Sequence, residues 1–482
     1  MVFNCAQLDW CFYFCKHKKK IMNYSSTRGQ DNNVSFIDAM LNGLAKDGGL
    51  YVPKKITKLS KSQLAGMSKL NYEKLAYEIT KLFIGTNEID QSDYKNICKK
   101  TYNECFGEEI ISLDKLKENE FVLNLFHGPT FAFKDFALQL LGNLYDYVLK
   151  KKKIKLTILG ATSGDTGSAA INGCEKAENA KIFILFPHKK VSEIQRKQMT
   201  TNKSKNVFNI AVKGNFDDCQ KLVKEFFGMN NINQKYNLAA INSINWVRII
   251  GQIVYYFWSY FRVEKNFNPI NYVIPTGNFG NVYAGFVSKC MGLPIRKLIV
   301  SSNKNDILTR FFSSGEMKKE KVRESLSPSM DIQVSSNFER LIFYYTKNSS
   351  YTNGLYKTLD ETGKFKINKE LHLKILKDFD GGSISDNETR KTIDYVFKKF
   401  NLIIDPHTAV GYAVGKKLLD ESEKRVYLAT AHYAKFMDTV QNSINKKLMY
   451  PKSLRSILNK KENFLLIKND IKDLERVISE IN

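Results

Sequence analysis

A single lysine among aromatic side chains is the first candidate for covalent chemistry. Lys134 lies in the segment His127–Phe136, between Phe133 and Asp135 and just after an apolar run that is typical of a strand. Neighbouring phenyl rings exclude water from the amine and so lower its pKa. The neutral amine is the form that makes a Schiff base with a carbonyl group. The alternative is a surface lysine on an amphipathic helix, because the chain holds 74 Lys and Arg residues.

Two loops rich in glycine and in hydroxyl or amide side chains could bind anions. Residues 160–170 read GATSGDTGSAA and follow the apolar run Ile154–Leu159, whereas residues 275–282 read PTGNFGNV and follow Tyr272–Ile274. Glycine lets the backbone approach a ligand, and a helix N-terminus presents free N–H groups to an anion. The second loop lacks the lysine of a P-loop and neither loop has G-x-G-x-x-G, which disfavours a dinucleotide. The loops suggest a pair of ligands, or a cofactor phosphate and a substrate carboxylate; for the first loop a plain capped turn is the alternative.

Short β-rich runs, each followed by a polar loop and a helical stretch, must position these residues. The runs cover residues 121–126, 154–159, 182–186, 207–212, 272–274, 298–300 and 426–429. This alternation predicts an α/β fold with parallel strands and crossover helices. Ligands of such sheets bind beyond the carboxyl ends of the strands, where Lys134 and both loops are expected.

The chain is long enough for two or three domains. We expect a mostly helical N-terminal domain at 22–110 and a core at 111–482, which contains a small α/β domain at about 150–240 and a helical insertion at about 313–400. Residues 1–21 are aromatic and Cys-rich, then basic, which reverses the order of a secretory signal. We expect a nonessential extension or a misassigned start before Met22, with a membrane-surface anchor as the alternative.

Composition excludes several classes of function. No apolar run reaches the roughly 18 residues of a membrane span, so we expect a soluble, cytoplasmic protein without a membrane partner. The net charge of +25 is spread along the chain rather than clustered with aromatic residues, which argues against a nucleic-acid partner. The 8 Cys form no C-x-x-C pair and no His stands at zinc-ligand spacing, so we expect no metal and free thiols in a reducing compartment.

Six motifs then follow one another along the chain. They are HGPTFAFKDFALQ (127–139), GATSGDTGSAA (160–170), NSINWVRIIGQIVYYF (242–257), PTGNFGN (275–281), SSNFERL (335–341) and ATAHYAKF (429–436), after the lead segment VSFIDAMLNGLAKDGGLYVP (34–53). Together they resemble threonine synthases, in the branch with a long lobe between the last two motifs. The resemblance covers the chain from Met22 onward.

The resemblance implies a pyridoxal 5'-phosphate enzyme of fold type II, like the tryptophan synthase β subunit. Such enzymes have parallel twisted sheets with flanking helices in two lobes, and the cofactor lies between the lobes. The implied reaction removes phosphate from O-phospho-L-homoserine and adds water to give L-threonine, the last step of threonine biosynthesis, in a monomer or homodimer. A Ser/Thr dehydratase or a synthase-like phospholyase is the alternative enzyme, although the dehydratase Ser-Phe-Lys-x-Arg motif is absent. The alternative outside the enzymes is a binding protein that keeps the fold but has lost catalysis.

The resemblance also implies roles for individual residues. Lys134 bonds to the cofactor and acts as general base, Phe133 packs near the ring, and Thr430 faces the pyridine nitrogen. The cofactor phosphate is expected at Gly277, Asn278, Phe279, Gly280 and Asn281. The substrate is expected at Thr162, Ser163, Asp165, Thr166, Asn242 and Arg248, and Asp165 is also expected beside the cofactor.

Some positions are left open or depart from the family pattern. Arg340 could either bind phosphate or make a structural contact. His127 and His432 are expected to form hydrogen bonds that position other groups rather than to act as catalysts. The departures are Tyr433 in place of Pro, Phe131 in place of Leu and Asn281 in place of Asp. None of them removes a reacting group.

Overall fold

Two mainly parallel sheets carry the fold in the computed structural model, which describes residues 22–229 and 235–482. The predicted extension at residues 1–21 lies outside the described residues. Every β-rich run identified in the sequence lies on a strand of one of these two sheets. The predicted α/β class is therefore confirmed.

The larger sheet has six strands and holds the runs that precede Lys134 and the second glycine-rich loop. In spatial order the strands are β14 (Phe379–Ser383), β11 (Ile295–Ser302), β10 (Ile270–Pro275), β15 (Arg425–Ala429), β5 (Glu120–Asn124) and β4 (Ser112–Lys117). All neighbours pair in parallel except β4, which runs antiparallel to β5 at the edge. The buried central strands therefore end at one common edge of the sheet.

The smaller sheet has five parallel strands and holds the run that precedes the first glycine-rich loop. Its spatial order is β16 (Leu465–Ile467), β8 (Val207–Val212), β7 (Ala180–Pro187), β6 (Leu156–Ala161) and β9 (Leu238–Ala240). The sequence does not indicate β16, through which the C-terminal segment joins this sheet. Nor does it indicate β14, which lies inside the segment predicted as a helical insertion.

The N-terminal part contains more helix than strand. It has a small antiparallel sheet of β1 (Tyr24–Ser26), β2 (Asn32–Val34) and β3 (Tyr51–Pro53), with helices α1 (Phe36–Asn42), α2 (Lys61–Met67), α3 (Tyr72–Thr80) and α4 (Gln91–Lys99). On α3 the side chains of Leu75 and Ile79 are fully buried, four residues apart on one face. This face packs into the same apolar core as the larger sheet.

The remaining helices flank the sheets or fill the long lobe. They are α5 (Lys134–Lys152), α6 (Asp165–Cys174), α7 (Glu193–Thr200), α8 (Phe216–Gly228), α9 (Trp246–Val263), α10 (Gly280–Cys290), α11 (Ile307–Ser314), α12 (Phe338–Thr346), α13 (Ser349–Thr362), α14 (Lys369–Leu376), α15 (Asp386–Phe400), α16 (Pro406–Leu418), α17 (Met437–Ile444), α18 (Lys452–Leu458) and α19 (Ile471–Ile481). A short antiparallel pair, β12 (Glu316–Lys318) and β13 (Lys364–Lys366), also lies in the lobe. Among the described residues, no helix is both long and apolar enough to cross a membrane.

Three helices that begin at or within two residues of a candidate site residue pack with their backbones in contact. A Cβ atom on Gly142 of α5 would lie 1.8 Å from the carbonyl oxygen of Gly173 on α6. A Cβ atom on Gly251 of α9 would lie 2.8 Å from the Cα atom of Ala137 on α5. Because α5 begins at Lys134, these glycine contacts set how closely the N-termini of α6 and α9 approach it.

We predict that Gly142→Ala destabilises the protein by at least about 2 kcal/mol, because the new methyl group meets backbone that cannot move aside. The measurement is chemical denaturation of both proteins. Gly354→Ala on α13 is the matched control, since no atom lies within 4 Å of its added Cβ. The control should be neutral or stabilise by about 0.5–1 kcal/mol. Equal stability of Gly142→Ala and wild type would contradict the backbone contact.

Candidate active site

Lys134 lies at the start of α5, beside the end of strand β15. Its side chain is buried, with 9% of the residue exposed, and its Nζ lies 5.3 Å from the centre of the Phe133 ring. The Phe133 N–H donates to the carbonyl oxygen of Thr430 at 2.9 Å, which joins the two segments. Burial lowers the pKa of Lys134, an effect that Asp165 opposes. The structure thus brings together three of the residues predicted to bind the cofactor.

Asp165 is the electrostatic centre of the site. Its Oδ2 lies 3.2 Å from Lys134 Nζ and accepts the hydroxyl of Ser329 at 3.2 Å. Its Oδ1 lies 2.7 Å from Lys435 Nζ and accepts an amide N–H of Gln195 at 2.8 Å. Burial favours the neutral acid, but the two ammonium groups and their hydrogen bonds hold the pKa of Asp165 well below its usual range. The carboxylate therefore stays charged.

The sequence analysis assigns no role to Lys435, Gln195 or Ser329. Lys435 belongs to the ATAHYAKF motif, so its presence there was the available signal. Gln195 belongs to no motif, and Ser329 lies in the segment predicted as the helical insertion at about 313–400. Both reach Asp165 only through the tertiary fold.

The first glycine-rich loop is held by its own threonine. The hydroxyl oxygen of Thr162 accepts the N–H groups of Gly164 and Gly167 at 2.9 and 2.8 Å. Thr162 therefore has only its hydroxyl hydrogen to offer a ligand. Ser163 and Thr166 are half-buried on the same loop. The loop leads into the N-terminus of α6, where N–H groups favour an anion.

The second glycine-rich loop has its carbonyl oxygens tied back to the SSNFERL segment. Ser335 donates its hydroxyl to the carbonyl oxygen of Gly277 at 2.7 Å, and Asn337 donates from its amide and its main chain to that of Asn278 at 2.9 and 3.1 Å. Because a trans peptide is planar, the N–H groups of Asn278 and Phe279 point the opposite way. Phe279 has a φ of 61° and packs on Phe338. The loop therefore presents N–H groups away from its anchors.

Asn281 adds a free donor near the start of α10. Its Oδ1 accepts the hydroxyls of Tyr255 and Tyr256 at 2.6 and 2.8 Å. This fixes the amide orientation, and the buried Nδ2 has no hydrogen-bond partner within the described residues. A buried donor without an acceptor is costly unless a ligand accepts from it. Together with Gly280 at the helix N-terminus, Asn281 fits a bound phosphate.

Arg248 is a buried cation near Lys134. Its residue is 2% exposed, its Nη1 donates to the Ile241 carbonyl at 3.1 Å, and in the described part of the chain its Nε has no hydrogen-bond partner and no acidic side chain pairs with it. Burial lowers the pKa of Arg248 to about 10. Asn242, half-buried, lies next to Ile241 before the start of α9. A buried guanidinium without a carboxylate is suited to an anionic ligand.

Arg340, which the sequence left open, is a structural residue. Its guanidinium donates to the carbonyl oxygens of Tyr51 and Ile244 and to the amide oxygen of Asn337, and it lies 5.4 Å from the ring of Trp246. Asn337 also donates to the Ser243 carbonyl at 3.2 Å. These two residues therefore connect the second glycine-rich loop to the segment that precedes Arg248.

The histidines act as hydrogen bonders, as expected for His127 and His432. Burial lowers the pKa of His432 to about 4, so its neutral ring accepts the Ala434 N–H at 3.1 Å. His127 bonds to the Ser112 hydroxyl at 2.7 Å, and burial lowers its pKa too.

A third histidine, which the sequence analysis misses, holds the Ser329 segment. His407 Nε2 accepts the main-chain N–H of Ser329 at 3.3 Å, so its proton is on Nδ1 and is donated to Asp405 at 2.7 Å. Asp405 is also the N-cap of α16.

Three family models match the chain between residues 23 and 478. Residues 23–102 match the family described as "Threonine synthase N terminus", residues 109–430 match "Pyridoxal-phosphate dependent enzyme", and residues 408–478 match "Threonine synthase, C-terminal". The middle match contains Lys134, Asp165, Arg248 and the second glycine-rich loop.

Individual relatives agree with these matches. The chain is 42% identical to a threonine synthase of Pseudomonas aeruginosa, over 95% of this chain and 98% of the relative, and 40% identical to that of Saccharomyces cerevisiae, over 93% and 97%. Among solved structures, the PLP-bound threonine synthase from Brucella melitensis superimposes with a TM-score of 0.92 at 40% identity, covering 95% of this chain and 99% of that one.

We predict that Asn337→Ala weakens the binding of pyridoxal 5'-phosphate to the apoenzyme by about 5- to 100-fold. The reason is that the carbonyl of Asn278 and the guanidinium of Arg340 lose a buried partner, at about 1–3 kcal/mol. The measurement is a titration of apoenzyme followed by visible absorbance. Asn387→Ala, at an exposed position of α15, is the control and should leave the affinity unchanged. An Asn337→Ala affinity within about twofold of wild type would refute the anchoring role.

Proposed function

Because the chain belongs to the threonine synthase family and is a pyridoxal 5'-phosphate-dependent lyase, we propose that it converts O-phospho-L-homoserine and water into L-threonine and phosphate. The observation that carries this choice of substrate is the buried Arg248 guanidinium, which has no acidic partner among the described residues. It provides a third site for an anion, in addition to the two glycine-rich loops. A cofactor phosphate, a substrate carboxylate and a substrate phosphate would each have a place.

This count of anions separates the proposed substrate from that of a dehydratase. Serine or threonine carries a carboxylate but no phosphate, so a dehydratase would leave Arg248 buried and uncompensated. A phosphorylated amino acid compensates it. The half-buried Asn242 and Ser163 offer amide and hydroxyl donors for the same phosphate.

The described residues fit the cofactor at two points. Lys134 would hold its aldehyde carbon, since its amine is buried and its pKa is lowered. The loop from Gly277 to Asn281 would hold its phosphate through N–H groups and the free Asn281 amide. Phe133 and Thr430 would lie beside the ring, with the Thr430 hydroxyl at the ring nitrogen. When bound, the cofactor withdraws electrons from the substrate and so makes its Cα–H bond acidic.

The protein's own residues then handle the proton and the leaving group. Lys134 Nζ, as a neutral amine, takes the proton from the substrate Cα and then one from Cβ, which expels the γ-phosphate. One proton goes to Cγ, water gives its hydroxyl to Cβ and its proton to the leaving phosphate, and the other proton returns to Cα. Arg248 binds the γ-phosphate and stabilises the charge that grows as it leaves. The N–H groups that remain free in the first glycine-rich loop orient the carboxylate of the substrate. A threonine at the ring nitrogen donates a hydrogen bond but holds no formal charge there, which suits elimination and addition of water.

We also propose the arrangement of lobes and the cellular location. Residues at about 150–240 form the small lobe, which carries Asp165, while the six-stranded sheet carries Lys134 and the phosphate loop. The cofactor lies between them. A cytoplasmic location is supported by the described cysteines, Cys98, Cys105, Cys174, Cys219 and Cys290, which are free thiols. We propose a monomer or a homodimer.

We predict that purified protein with added cofactor releases phosphate from O-phospho-L-homoserine and forms threonine in equal amount. Lys134→Ala should show neither the visible absorbance of a lysine-bound cofactor nor phosphate release, because both need the same amine. The assay measures phosphate by colour and amino acids by chromatography. Phosphate release by Lys134→Ala, or 2-oxobutyrate as the main product of wild type, would contradict the proposal.

We predict that Arg248→Gln lowers kcat/KM for O-phospho-L-homoserine about a hundredfold, because a charge-assisted bond to phosphate is worth about 3 kcal/mol. Inhibition by inorganic phosphate should weaken in parallel. Arg262→Gln is the matched control, since Arg262 is exposed about 21 Å along the same helix. The control should keep wild-type kinetics. An unchanged kcat/KM for Arg248→Gln would show that Arg248 does not bind the substrate phosphate.

A further inference from the structure

A second lysine contacts the Asp165 carboxylate, and the proposed function gives it no role. Lys435 lies in the short helical turn Tyr433–Phe436 after β15, and its side chain is fully buried. Its Nζ lies 2.7 Å from Asp165 Oδ1 and donates to the main-chain carbonyl of Thr130 at 2.8 Å. Thr130 in turn donates its N–H and its hydroxyl to Asp135. Lys435 is thus held in one position from two sides.

The Asp165 carboxylate therefore faces two ammonium groups, which differ in the number and length of their hydrogen bonds. Lys435 has two acceptors, at 2.7 and 2.8 Å. Within the described chain, Lys134 has a single acceptor, Asp165, at 3.2 Å. Shorter bonds to more acceptors stabilise a buried ammonium, so the site holds the ammonium of Lys435 more firmly than that of Lys134.

Three further titratable groups face the two lysines. Arg248 on α9 adds a positive field at Lys134 and helps to lower its pKa, after burial as the main cause. Burial raises the pKa of Asp135 to about 6, and its charge acts on the second lysine. Burial lowers the pKa of His432 to about 4, so that ring is neutral at physiological pH. The charges of Arg248 and Asp135 therefore favour an ammonium on Lys435 over one on Lys134, whereas the neutral His432 ring adds no charge.

We propose that Lys435 is the resident counter-ion of Asp165 and thereby a positioning residue for Lys134. When Lys134 gives up its proton, the ammonium of Lys435 keeps the carboxylate paired. Without Lys435, the carboxylate would hold a proton on Lys134, whose amine would then be a poor nucleophile at neutral pH. This inference rests on the proposed assignment of Lys134 as the cofactor-binding lysine.

The test is the pH dependence with which the apoenzyme captures pyridoxal 5'-phosphate, followed by stopped-flow visible absorbance. Lys435→Gln keeps a donor for Asp165 and Thr130 but removes the charge. We expect the midpoint of the capture profile to rise by about one pH unit or more, so that capture at neutral pH slows about tenfold. A folded Lys435→Gln apoenzyme with the wild-type midpoint would overturn the inference.

Replacing Asp165 distinguishes an effect of the Lys435 charge from a purely structural effect of Lys435. Asp165→Asn should lower the midpoint, because Lys134 then loses its one acidic acceptor among the described residues while the charge of Lys435 remains. The double variant Asp165→Asn with Lys435→Gln should return toward the wild-type value, whereas a merely structural role for Lys435 predicts no return. If Lys435→Gln alone does not fold, the capture midpoints of Asp165→Asn and of the double variant are compared instead. Equal midpoints for these two variants would overturn the inference.

Two controls keep this test distinct from that of the proposed function. Lys416 on α16 is a partly buried lysine that pairs with Glu120 at 3.1 Å. Lys416→Gln should leave the midpoint unchanged. Lys134→Ala should abolish capture. If Lys134→Ala captures cofactor normally, the assignment of Lys134 fails and the inference fails with it. If capture is lost but Lys435→Gln keeps the wild-type midpoint, only the inference fails.

Discussion

The carboxylate of Asp165, buried between two lysines, is the interaction on which the site depends. A buried carboxylate must be paired or it takes up a proton. Here the pairing draws together Lys134 from α5, Lys435 from the turn after β15, and Ser329 from the segment at about 313–400. Helix α6 follows strand β6 of the smaller sheet, whereas α5 follows β5 of the larger sheet, to which β15 also belongs. The charge that tunes the buried amine is thus also a bond between segments of the two sheets.

Backbone contacts between helices set the distances that this charge requires. Gly142 and Gly173 let α5 and α6 touch, and Gly251 does the same for α5 and α9. The three helices begin near the reactive amine, the carboxylate and the buried guanidinium respectively. Their N-termini therefore converge, and converging N–H groups favour anions. A substrate and cofactor that are both rich in negative charge suit such a site.

The sequence predicts the strands and loops well because these features are local. The runs on β6 and β10 and their glycine-rich loops were assigned from β-propensity, glycine and order along the chain alone. Strand β14 was missed because its sequence, FDGGS, has two glycines and little β-propensity, so only pairing with β11 makes it a strand. Lys435 was missed although it lies in the ATAHYAKF motif, because nothing local distinguishes a buried lysine from the other basic residues among the 74 in the chain. Asn337 and His407 act through contacts that join segments 59 and 78 residues apart, which no local pattern reveals.

The most direct measurement identifies the lysine that carries the cofactor. Two buried lysines share one carboxylate, and only Lys134 is expected to bond to the cofactor. The holoenzyme would be treated with borohydride to reduce the bond between cofactor and lysine, then digested and sequenced by mass spectrometry. The structure predicts a single adduct on the peptide that contains Lys134. An adduct on Lys435, or a mixture of both, would contradict it.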